Sequence, residues 1–299
     1  MTRTLPRTEL LLILSDMDGM SSQLVSIIVV SAGSNAYLKP CLDSLEQQSH
    51  QNKEVIVIDN SLLEEPLSYC AALNKGIGKA KGDFILCLND DVSLDKDFIR
   101  EALRGFLLSE KIGMVSGKIL RPDAKIIDST GLFLSPWRTP MERGYNLLDK
   151  GQFENKGYIF GVSGAAAFLR KAMLEAIKDN YGYFDLRFGF FFEDLDLAWR
   201  ANRFGWQGYY IPAAIAYHVR GATARKASGI NKPFARRYLD ASMQACLLKN
   251  RYLTLLKNES WPDFILHLPL IIIHDCAMWA YALFFTPAAI KKLIFPSER

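Results

Sequence analysis

Val-Ser-Ile-Ile-Val-Val at residues 25–30 is an apolar, β-branched run of the kind that forms a buried strand. A short polar loop follows it, and residues from about Tyr37 to Gln48 then carry apolar side chains at helical spacing. A second apolar run, Glu-Val-Ile-Val-Ile-Asp-Asn-Ser, occupies residues 54–61. This order of strand, helix and strand predicts a βαβ unit with two parallel strands.

The predicted strands end in polar residues. Ser31 follows the first, Asp59 lies near the end of the second, and a third apolar run at residues 84–88 leads directly into Asn-Asp-Asp at residues 89–91. Ligands of open α/β sheets bind at the carboxyl ends of the strands. Oxygen donors placed there can hold Mg²⁺ or Mn²⁺, or accept hydrogen bonds from a nucleoside. A solvated turn is the alternative interpretation, because Asn and Asp also favour turns.

A second acidic cluster lies far along the chain, in Phe-Phe-Glu-Asp-Leu-Asp-Leu-Ala-Trp-Arg at residues 191–200. If this backbone is extended, Asp194 and Asp196 point to one side and Glu193 to the other. If it begins a helix, Glu193 and Asp196 share a face, and acidic residues suit the first turn. The sequence is compatible with either arrangement.

The motifs occur in an order that resembles the inverting nucleotide-sugar glycosyltransferases of family 2, and most of all their bacterial rhamnosyltransferase-like members. The resemblance runs from Val25 to about Thr223. It is carried by the runs above together with Asn74-Lys75-Gly76, Leu88-Asn89-Asp90-Asp91-Val92, Gly161-Val162-Ser163-Gly164-Ala165, Phe184-Asp185, Glu193-Asp194-Leu195-Asp196-Leu197 and Tyr217-His218. It implies the GT-A fold, an α/β fold with a Rossmann-like, mostly parallel central sheet flanked by helices, here followed by a C-terminal helical appendage.

The resemblance also implies a donor site, position by position. Asp91 corresponds to the cation ligand of the family's DxD-like motif, and His218 resembles the later histidine that completes a Mg²⁺ or Mn²⁺ site. Donor-binding roles are implied for Ser31, Asp59, Asn60, Asn74, Asn89 and Asp90. The motif begins with Asn rather than Asp, which removes one negative charge and should weaken the metal site. The loop at residues 31–35 lacks the aromatic residue of relatives, so the nucleobase is left open.

Inverting transfer needs a base that takes the proton of the acceptor hydroxyl on the face opposite the leaving nucleotide. The resemblance implies that Asp194 is this base, with Glu193 as the next candidate. It also implies acceptor-binding roles for Gly164, Trp199 and Arg200. The predicted function is transfer of a sugar from a UDP- or dTDP-sugar, for example dTDP-rhamnose, to a hydroxyl of a glycan or lipid-linked sugar in the assembly of a cell-surface polysaccharide.

Composition fits this interpretation and weakens its rivals. A chain of 299 residues with 49% hydrophobic residues can build one large α/β domain and an appendage. Five scattered cysteines indicate a reducing cytoplasm without a disulfide framework or a zinc site. A net charge of +4 is too small to indicate nucleic-acid binding. The sequence lacks the Gly-rich phosphate loop of a sugar nucleotidyltransferase, and it keeps Asp91 and Asp194, whose loss would have indicated a non-catalytic binding or scaffold protein.

Three regions are predicted. Residues 1–23 form an N-terminal extension that packs on the catalytic domain or on a partner. Residues 24–225 form the catalytic domain, with a donor half to about residue 118 and an acceptor half from residue 119. Residues 226–299 form a helical, membrane-associating region.

The last apolar stretch, Phe264 to Phe285, is long enough to span a membrane. It contains His267, Pro269, His274 and Asp275, each of which is costly in hydrocarbon. A broken pair of helices lying in the membrane interface is therefore favoured, a buried hairpin or dimer interface is the next option, and a span is the last. Basic residues on either side favour an anionic leaflet. We expect a cytoplasmic enzyme in peripheral contact with the inner face of the cell membrane, near a polyprenyl-linked acceptor, with a homo-oligomer left open.

Overall fold

The computed structural model describes residues 22–33, 35–220 and 239–295, and the structural statements below refer to those residues. Residues 1–21 of the predicted N-terminal extension lie outside them, as does the basic stretch from Lys226 to Arg237. The end of the family resemblance, residues 221–223, also lies outside the described residues.

The described chain alternates strands and helices before ending in helices. The strands are β1 Val25–Ser31, β2 Lys53–Asp59, β3 Phe84–Asn89, β4 Val92–Leu94, β5 Ile112–Leu120, β6 Ile127–Ser129, β7 Leu132–Leu134, β8 Pro140–Glu142, β9 Gly157–Ile159, β10 Ala166–Arg170 and β11 Gln207–His218. The helices are α1 Asn35–Glu46, α2 Tyr69–Ile77, α3 Phe98–Leu107, α4 Lys171–Ile177, α5 Glu193–Arg203, α6 Ala241–Asn258, α7 Trp261–Phe285 and α8 Pro287–Ile294.

One large sheet has the strand order β2-β1-β3-β10-β5-β11-β4, with β6 paired to β5 and β9 to β11. β1 is parallel to β2 and β3, which confirms the predicted βαβ unit. β10 is antiparallel to β3 and β5, and β11 is parallel to β5 but antiparallel to β4 and β9. The sheet is therefore mixed, and the expected mostly parallel arrangement holds only at β2-β1-β3 and at the β5–β11 pair. The chain reaches β10 through the β7–β8 hairpin and β9, not through a crossover helix, so β10 can run antiparallel.

β1 is buried along its whole length because it lies between two strands and both faces of the sheet are covered. An uninterrupted apolar run is the pattern expected of such a strand. Its side chains alternate between two core clusters, with Ile28 and Val30 in one and Val25, Ile27 and Val29 in the other. The strand ends at Ser31, which therefore lies at the ligand edge of the sheet.

The second acidic cluster begins a helix, since α5 starts at Glu193 and holds Asp194 and Asp196 in its first turn. The helical interpretation is right and the extended one is wrong. Asp196 is fully buried and accepts hydrogen bonds from Arg200 Nε at 2.9 Å, Lys257 Nζ at 3.1 Å and Asn258 Nδ2 at 2.8 Å. These contacts join α6 to α5. The predicted region boundary at residues 225 and 226 stays a prediction, because it falls outside the described residues.

Asp196→Ala should lower the free energy of unfolding by about 3–5 kcal/mol, because it leaves the buried Arg200 guanidinium without its carboxylate partner. Urea unfolding followed by circular dichroism measures the loss. Asp43→Ala is the control, since Asp43 forms an exposed ion pair with Lys39 and should contribute at most about 1 kcal/mol. Equal, small losses in both variants would contradict the structural role of Asp196.

The predicted helix from Ala241 to Leu256 is confirmed as α6, which ends two residues later. The expected break within Phe264–Phe285 is wrong, because α7 is a continuous 25-residue helix with Pro269 inside it and α8 follows only at Pro287. No break is needed, since His274 stacks on Trp137 and Asp275 pairs with Arg251 within the protein. Among the described residues, α7 is the one helix long and apolar enough to cross a membrane.

Candidate active site

The carboxyl ends of β2, β1 and β3 form the first part of the candidate site. Strand register places Ser31 beside Asp59, and Val30 beside both Ile58 and Asn89. The structure therefore brings three predicted donor-binding residues together at one edge. Asp59 Oδ1 accepts hydrogen bonds from the Ser61 backbone N–H at 2.9 Å and the Ser61 hydroxyl at 2.6 Å, so it also orders the turn after β2.

Asp90 lies at the same edge, immediately after β3. Burial raises the pKa of its carboxyl group, opposed by hydrogen bonds from the Ser31 hydroxyl and the Ala32 backbone N–H. Its Oδ2 atom is buried without a hydrogen-bond partner among the described residues. A buried acceptor of this kind is costly unless a ligand uses it. We call this edge, formed by Ser31, Asp59, Asn89 and Asp90, the donor edge. Asp90 has a carboxylate oxygen there that can accept a hydrogen bond from a ligand.

Asp91 and His218 meet because β4 and β11 are antiparallel neighbours, with His218 in register with Val92. His218 Nε2 lies 3.3 Å from Asp91 Oδ1, and its Nδ1 lies 2.7 Å from Asp128 Oδ2. Asp128 is fully buried and also pairs with Arg121 at 3.0 Å and Arg220 at 2.6 Å. Burial alone would raise the pKa of Asp128. The neighbouring Arg220 and His218 outweigh burial and hold that pKa well below its usual range.

This arrangement is typical of a histidine whose second ring nitrogen is fixed by a carboxylate so that the first can bind a cation. Asp91 and His218 could therefore hold a divalent metal. The described residues contain no group of three or more His, Cys, Asp and Glu side chains around a common position, so further ligands would come from water or a bound diphosphate. Sequence reasoning missed Asp128, whose signal is an acidic residue directly after two isoleucines.

Asp194 and Glu193 form the second part of the site. Asp194 Oδ2 accepts the Gly164 backbone N–H at 3.1 Å, and its Oδ1 accepts the Leu195 N–H at 2.7 Å. An added Cβ at Gly164 would lie 3.3 Å from Glu193 Oε1 and 3.5 Å from Asp194 Oδ2, so this position suits a glycine. The structure therefore brings predicted residue Gly164 into contact with both acids.

The two acids differ in their surroundings. Burial, and next the neighbouring Asp194 charge, raise the pKa of Glu193 well above its usual range, and Glu193 Oε2 is buried without a partner among the described residues. Burial also raises the pKa of Asp194, but the two backbone N–H groups favour its ionised form. Asp194 is the more exposed of the pair. It is therefore better placed to accept a proton from a ligand.

Tyr69 joins the two parts of the site. Its hydroxyl donates to Asn89 Oδ1 at 2.6 Å and lies 3.2 Å from the Gly164 carbonyl oxygen. Burial raises the pKa of Tyr69 well above its usual value, so the hydroxyl stays a donor. The donor edge and the acid pair thus share one hydrogen-bonded connection, which the sequence did not indicate.

Glu142, at the end of β8, is a third carboxylate that sequence reasoning missed. It accepts hydrogen bonds from the Ser129 hydroxyl and from the Ser163 hydroxyl, the latter at 2.8 Å. Burial, opposed by Arg220, raises its pKa to about 7. Since Ser163 precedes Gly164, Glu142 and Asp194 both contact the same dipeptide. Its side chain is partly exposed, so it can still accept hydrogen bonds from a ligand.

Four predicted site residues make contacts that hold the fold. Asn60 exchanges two hydrogen bonds with the Leu67 backbone, and Asn74 exchanges two with the Phe184 backbone. The three guanidinium nitrogens of Arg200 all donate within the protein, and Trp199 is buried against Phe160. The donor roles of Asn60 and Asn74 stay predictions. The acceptor roles of Trp199 and Arg200 also stay predictions.

Residues 50–238, more than half of the chain, match the family model described as Glycosyltransferase like family 2. The chain belongs to this glycosyltransferase family. Its fold agrees, because the structure of GalNAc-T7 with UDP, GalNAc and Mn²⁺ superposes with a TM-score of 0.50 at 10% identity, over 66% of this chain and 43% of that one. The predicted GT-A fold class is thereby confirmed.

Curated relatives of this family 2 chain include the poly-β-1,6-N-acetyl-D-glucosamine synthase of Staphylococcus aureus, which is 22% identical over 68% of this chain and 45% of the synthase. EpsH of Bacillus subtilis, which carries the name of a glycosyltransferase, is 26% identical over 28% of this chain and 31% of EpsH. The family 2 chain therefore spans less than half the length of these relatives.

Proposed function

We propose that this protein is an inverting glycosyltransferase that moves a sugar from a nucleoside diphosphate donor to a hydroxyl of an acceptor. The observation that carries the proposal is the pairing of two sites. A donor edge with Asp90 and Asp91 lies on one side, the acid pair lies on the other, and Tyr69 connects them. A single displacement requires both a site for the leaving diphosphate and a base opposite to it.

Asp194 is the proposed base. It is partly exposed, and its two backbone hydrogen bonds fix the orientation of the carboxylate. Glu193 is the weaker candidate, because its raised pKa favours the protonated form at neutral pH. In the proposed reaction the acceptor oxygen bonds to the anomeric carbon, Asp194 takes the acceptor proton, and the nucleoside diphosphate leaves with the electrons of the broken C–O bond.

Asp91 and His218 are the proposed ligands of a divalent cation, Mg²⁺ or Mn²⁺. The donor set fits such an ion, since Mg²⁺ is commonly bound by one or two carboxylates together with substrate phosphates and water. The GalNAc-T7 structure contains UDP and Mn²⁺ in a related fold. When bound, the cation would neutralise negative charge on the leaving diphosphate. Asp90, with its unpartnered buried oxygen, and Asp59 would accept hydrogen bonds from donor hydroxyls.

Glu142 is proposed to bind a hydroxyl of the acceptor. Its carboxylate keeps unused lone pairs after accepting from Ser129 and Ser163. It contacts the residue next to Gly164, whose N–H group holds Asp194. A carboxylate at this place can orient an acceptor whose reacting hydroxyl faces Asp194.

The proposed acceptor is a glycan or a lipid-linked sugar at the inner face of the cell membrane, with a UDP- or dTDP-sugar as donor. Three polar side chains in the second half of α7 support membrane contact, because they face the protein. Asp275 pairs with buried Arg251 at 3.0 Å, His274 stacks on Trp137, and Trp279 donates to the Tyr252 hydroxyl at 2.6 Å. The opposite face is apolar and exposed, and includes Ile265, Leu266, Ile273, Leu283 and Phe284. A helix with polar residues inward and apolar residues outward suits lipid contact.

The double variant Leu266→Glu and Ile273→Glu should reduce binding to vesicles of phosphatidylglycerol and phosphatidylethanolamine by at least roughly tenfold, because two apolar side chains would no longer be buried in lipid. Liposome flotation of the full chain measures this. Leu107→Glu, which places the same charge at an exposed leucine of α3, is the control and should float like the wild type. A wild-type protein that stays unbound, and forms a dimer that the double variant dissociates, would assign this face to a second copy.

A panel of nucleotide sugars tests the proposed function itself. We expect UDP- or dTDP-sugars with Mn²⁺ to raise the melting temperature, since a ligand that binds only the native state stabilises it. We also expect slow hydrolysis of the same donor, with water as acceptor. The proposal would be contradicted if no nucleotide sugar of the panel stabilised the protein and none were hydrolysed by it.

A further inference from the structure

The turn that leads into the acid pair is strained. Phe191 has φ 69° and Phe192 has φ 67°, so two consecutive residues with side chains adopt the left-handed conformation directly before Glu193. Each such residue costs roughly 1–2 kcal/mol relative to the right-handed form. A turn of this kind persists only when its surroundings hold it.

Asn250 of α6 supplies that support. Its side chain is fully buried, and its Nδ2 atom donates to the carbonyl oxygens of Phe188 at 2.9 Å, Phe190 at 2.8 Å and Phe191 at 2.8 Å. An amide nitrogen carries two hydrogens, so the three carbonyls share them. One side chain of α6 therefore binds three backbone carbonyl groups at and just before the left-handed turn.

α6 is itself fixed relative to α5. Two turns after Asn250, Asn258 donates to Asp196 at 2.8 Å, and Lys257 also reaches Asp196. The left-handed turn thus lies between α5, which begins with the acids, and Asn250, whose helix is attached to α5. A shift at Asn250 would be transmitted to the first turn of α5 through this short connection.

We propose that Asn250 is a positioning residue, which holds the Phe190–Phe192 turn and thereby sets the orientation of the Glu193 and Asp194 carboxyl groups. The inference rests on the proposed function only for the catalytic consequence. The structural consequence concerns the turn and the acid pair alone. The proposal makes helix α6, which follows the catalytic domain, a support of the active site.

Asn250→Asp is the decisive variant, because it keeps the shape of the side chain and removes its N–H donors. Leu255→Ala is the matched control, since it removes a buried side chain from the same helix without touching the turn. Hydrogen–deuterium exchange of the full chain should show about tenfold faster exchange over residues 188–195 in Asn250→Asp. Leu255→Ala should leave exchange in this segment within about twofold of the wild type, even if it lowers the melting temperature as much as Asn250→Asp does.

Carbon-13 NMR of glutamate carboxyl groups provides a second readout. In Asn250→Ser, which adds no charge, the raised pKa of Glu193 should move towards its ordinary value, because the buried first turn of α5 loosens. In Leu255→Ala it should stay in place. If Asn250→Asp does not fold, Asn250→Ser, which keeps one donor, should still show faster exchange over residues 188–195, by a smaller factor than that expected for Asn250→Asp.

Hydrolysis of the stabilising nucleotide sugar separates this proposal from the proposed function. Asn250→Asp should lower kcat more than it changes KM, because the turn leads directly into the acids and reaches the donor edge only through the contact of Phe190 with Tyr69. Absence of hydrolysis in the wild type would count against the proposed function, while exchange and titration would still decide the role of Asn250. Equal exchange over residues 188–195 in Asn250→Asp and Leu255→Ala, together with an equal Glu193 pKa in Asn250→Ser and Leu255→Ala, would overturn the proposed role of Asn250.

Discussion

Asp194→Asn should retain nucleotide-sugar affinity while turnover falls by a factor of about 10² to 10⁴, the contribution typical of a general base. The substitution keeps the shape of the side chain and removes the group that accepts the proton. Affinity is measured by calorimetry with the donor that stabilises the protein. Turnover is measured as donor hydrolysis, and as transfer to a panel of octyl glycosides.

Glu193→Gln is the matched control for this variant, since Glu193 is the neighbouring acid with the same backbone setting. It should lower turnover much less, because its raised pKa keeps it largely protonated at neutral pH. Near-normal turnover in Asp194→Asn together with collapse in Glu193→Gln would move the base to Glu193.

The pH dependence of turnover follows from the same carboxyl groups. Burial raises the pKa of Asp194, so its ionised form, which is the active base, is lost on acidification at a higher pH than for an exposed aspartate. The acid limb of kcat should therefore lie above the ordinary aspartate range and should disappear in Asp194→Asn. Because the two acids titrate together, the limb reports the pair. A limb at the pH of an exposed aspartate would contradict the assignment.

Asp91→Asn should weaken Mn²⁺-dependent nucleotide binding by more than about 10²-fold, since loss of a metal ligand exceeds the roughly 10- to 100-fold effect typical of residues that only orient a ligand. The loss of nucleotide affinity in Asp128→Asn should fall within that smaller range, because Asp128 orients His218 and is not itself a proposed ligand. Calorimetric titration of UDP and dTDP with Mn²⁺, and again with EDTA, measures both.

Asp59→Ala is the control for the metal assignment. It should weaken nucleotide binding while leaving the remaining affinity dependent on Mn²⁺, because Asp59 lies at the donor edge on β2 and away from His218. Binding to the wild type that is unchanged by EDTA would remove Asp91 and His218 as metal ligands.

The donor half of the fold could be predicted because its information is local. The apolar runs of β1, β2 and β3 are continuous, and each leads directly to a polar residue at the ligand edge. The mixed order of the remaining sheet could not be predicted, since β10 and β11 pair with strands distant in sequence. The conformation at Glu193 was also undecided, because its spacing suits a helix or an extended segment.

The supporting residues of the site were harder to predict than the ligand-edge residues. Asp128 contacts His218, which is 90 positions away in the sequence, Glu142 contacts Ser163, 21 positions away, and Tyr69 contacts Gly164, 95 positions away. Asn250 acts through carbonyl groups, which carry no sequence signal. In α7, the charge of Asp275 indicated a break in the helix, whereas buried Arg251 neutralises it. Such pairings depend on tertiary structure and cannot be read from local patterns.

The configuration of the product tests the central claim most directly. With a single base and a single displacement, the anomeric configuration of the transferred sugar must be opposite to that in the donor. Proton NMR of the first product formed from an α-linked nucleotide sugar should therefore show a β-anomer, before any mutarotation. An α-anomer as the first product would contradict the single-displacement mechanism and the role of Asp194 as its base.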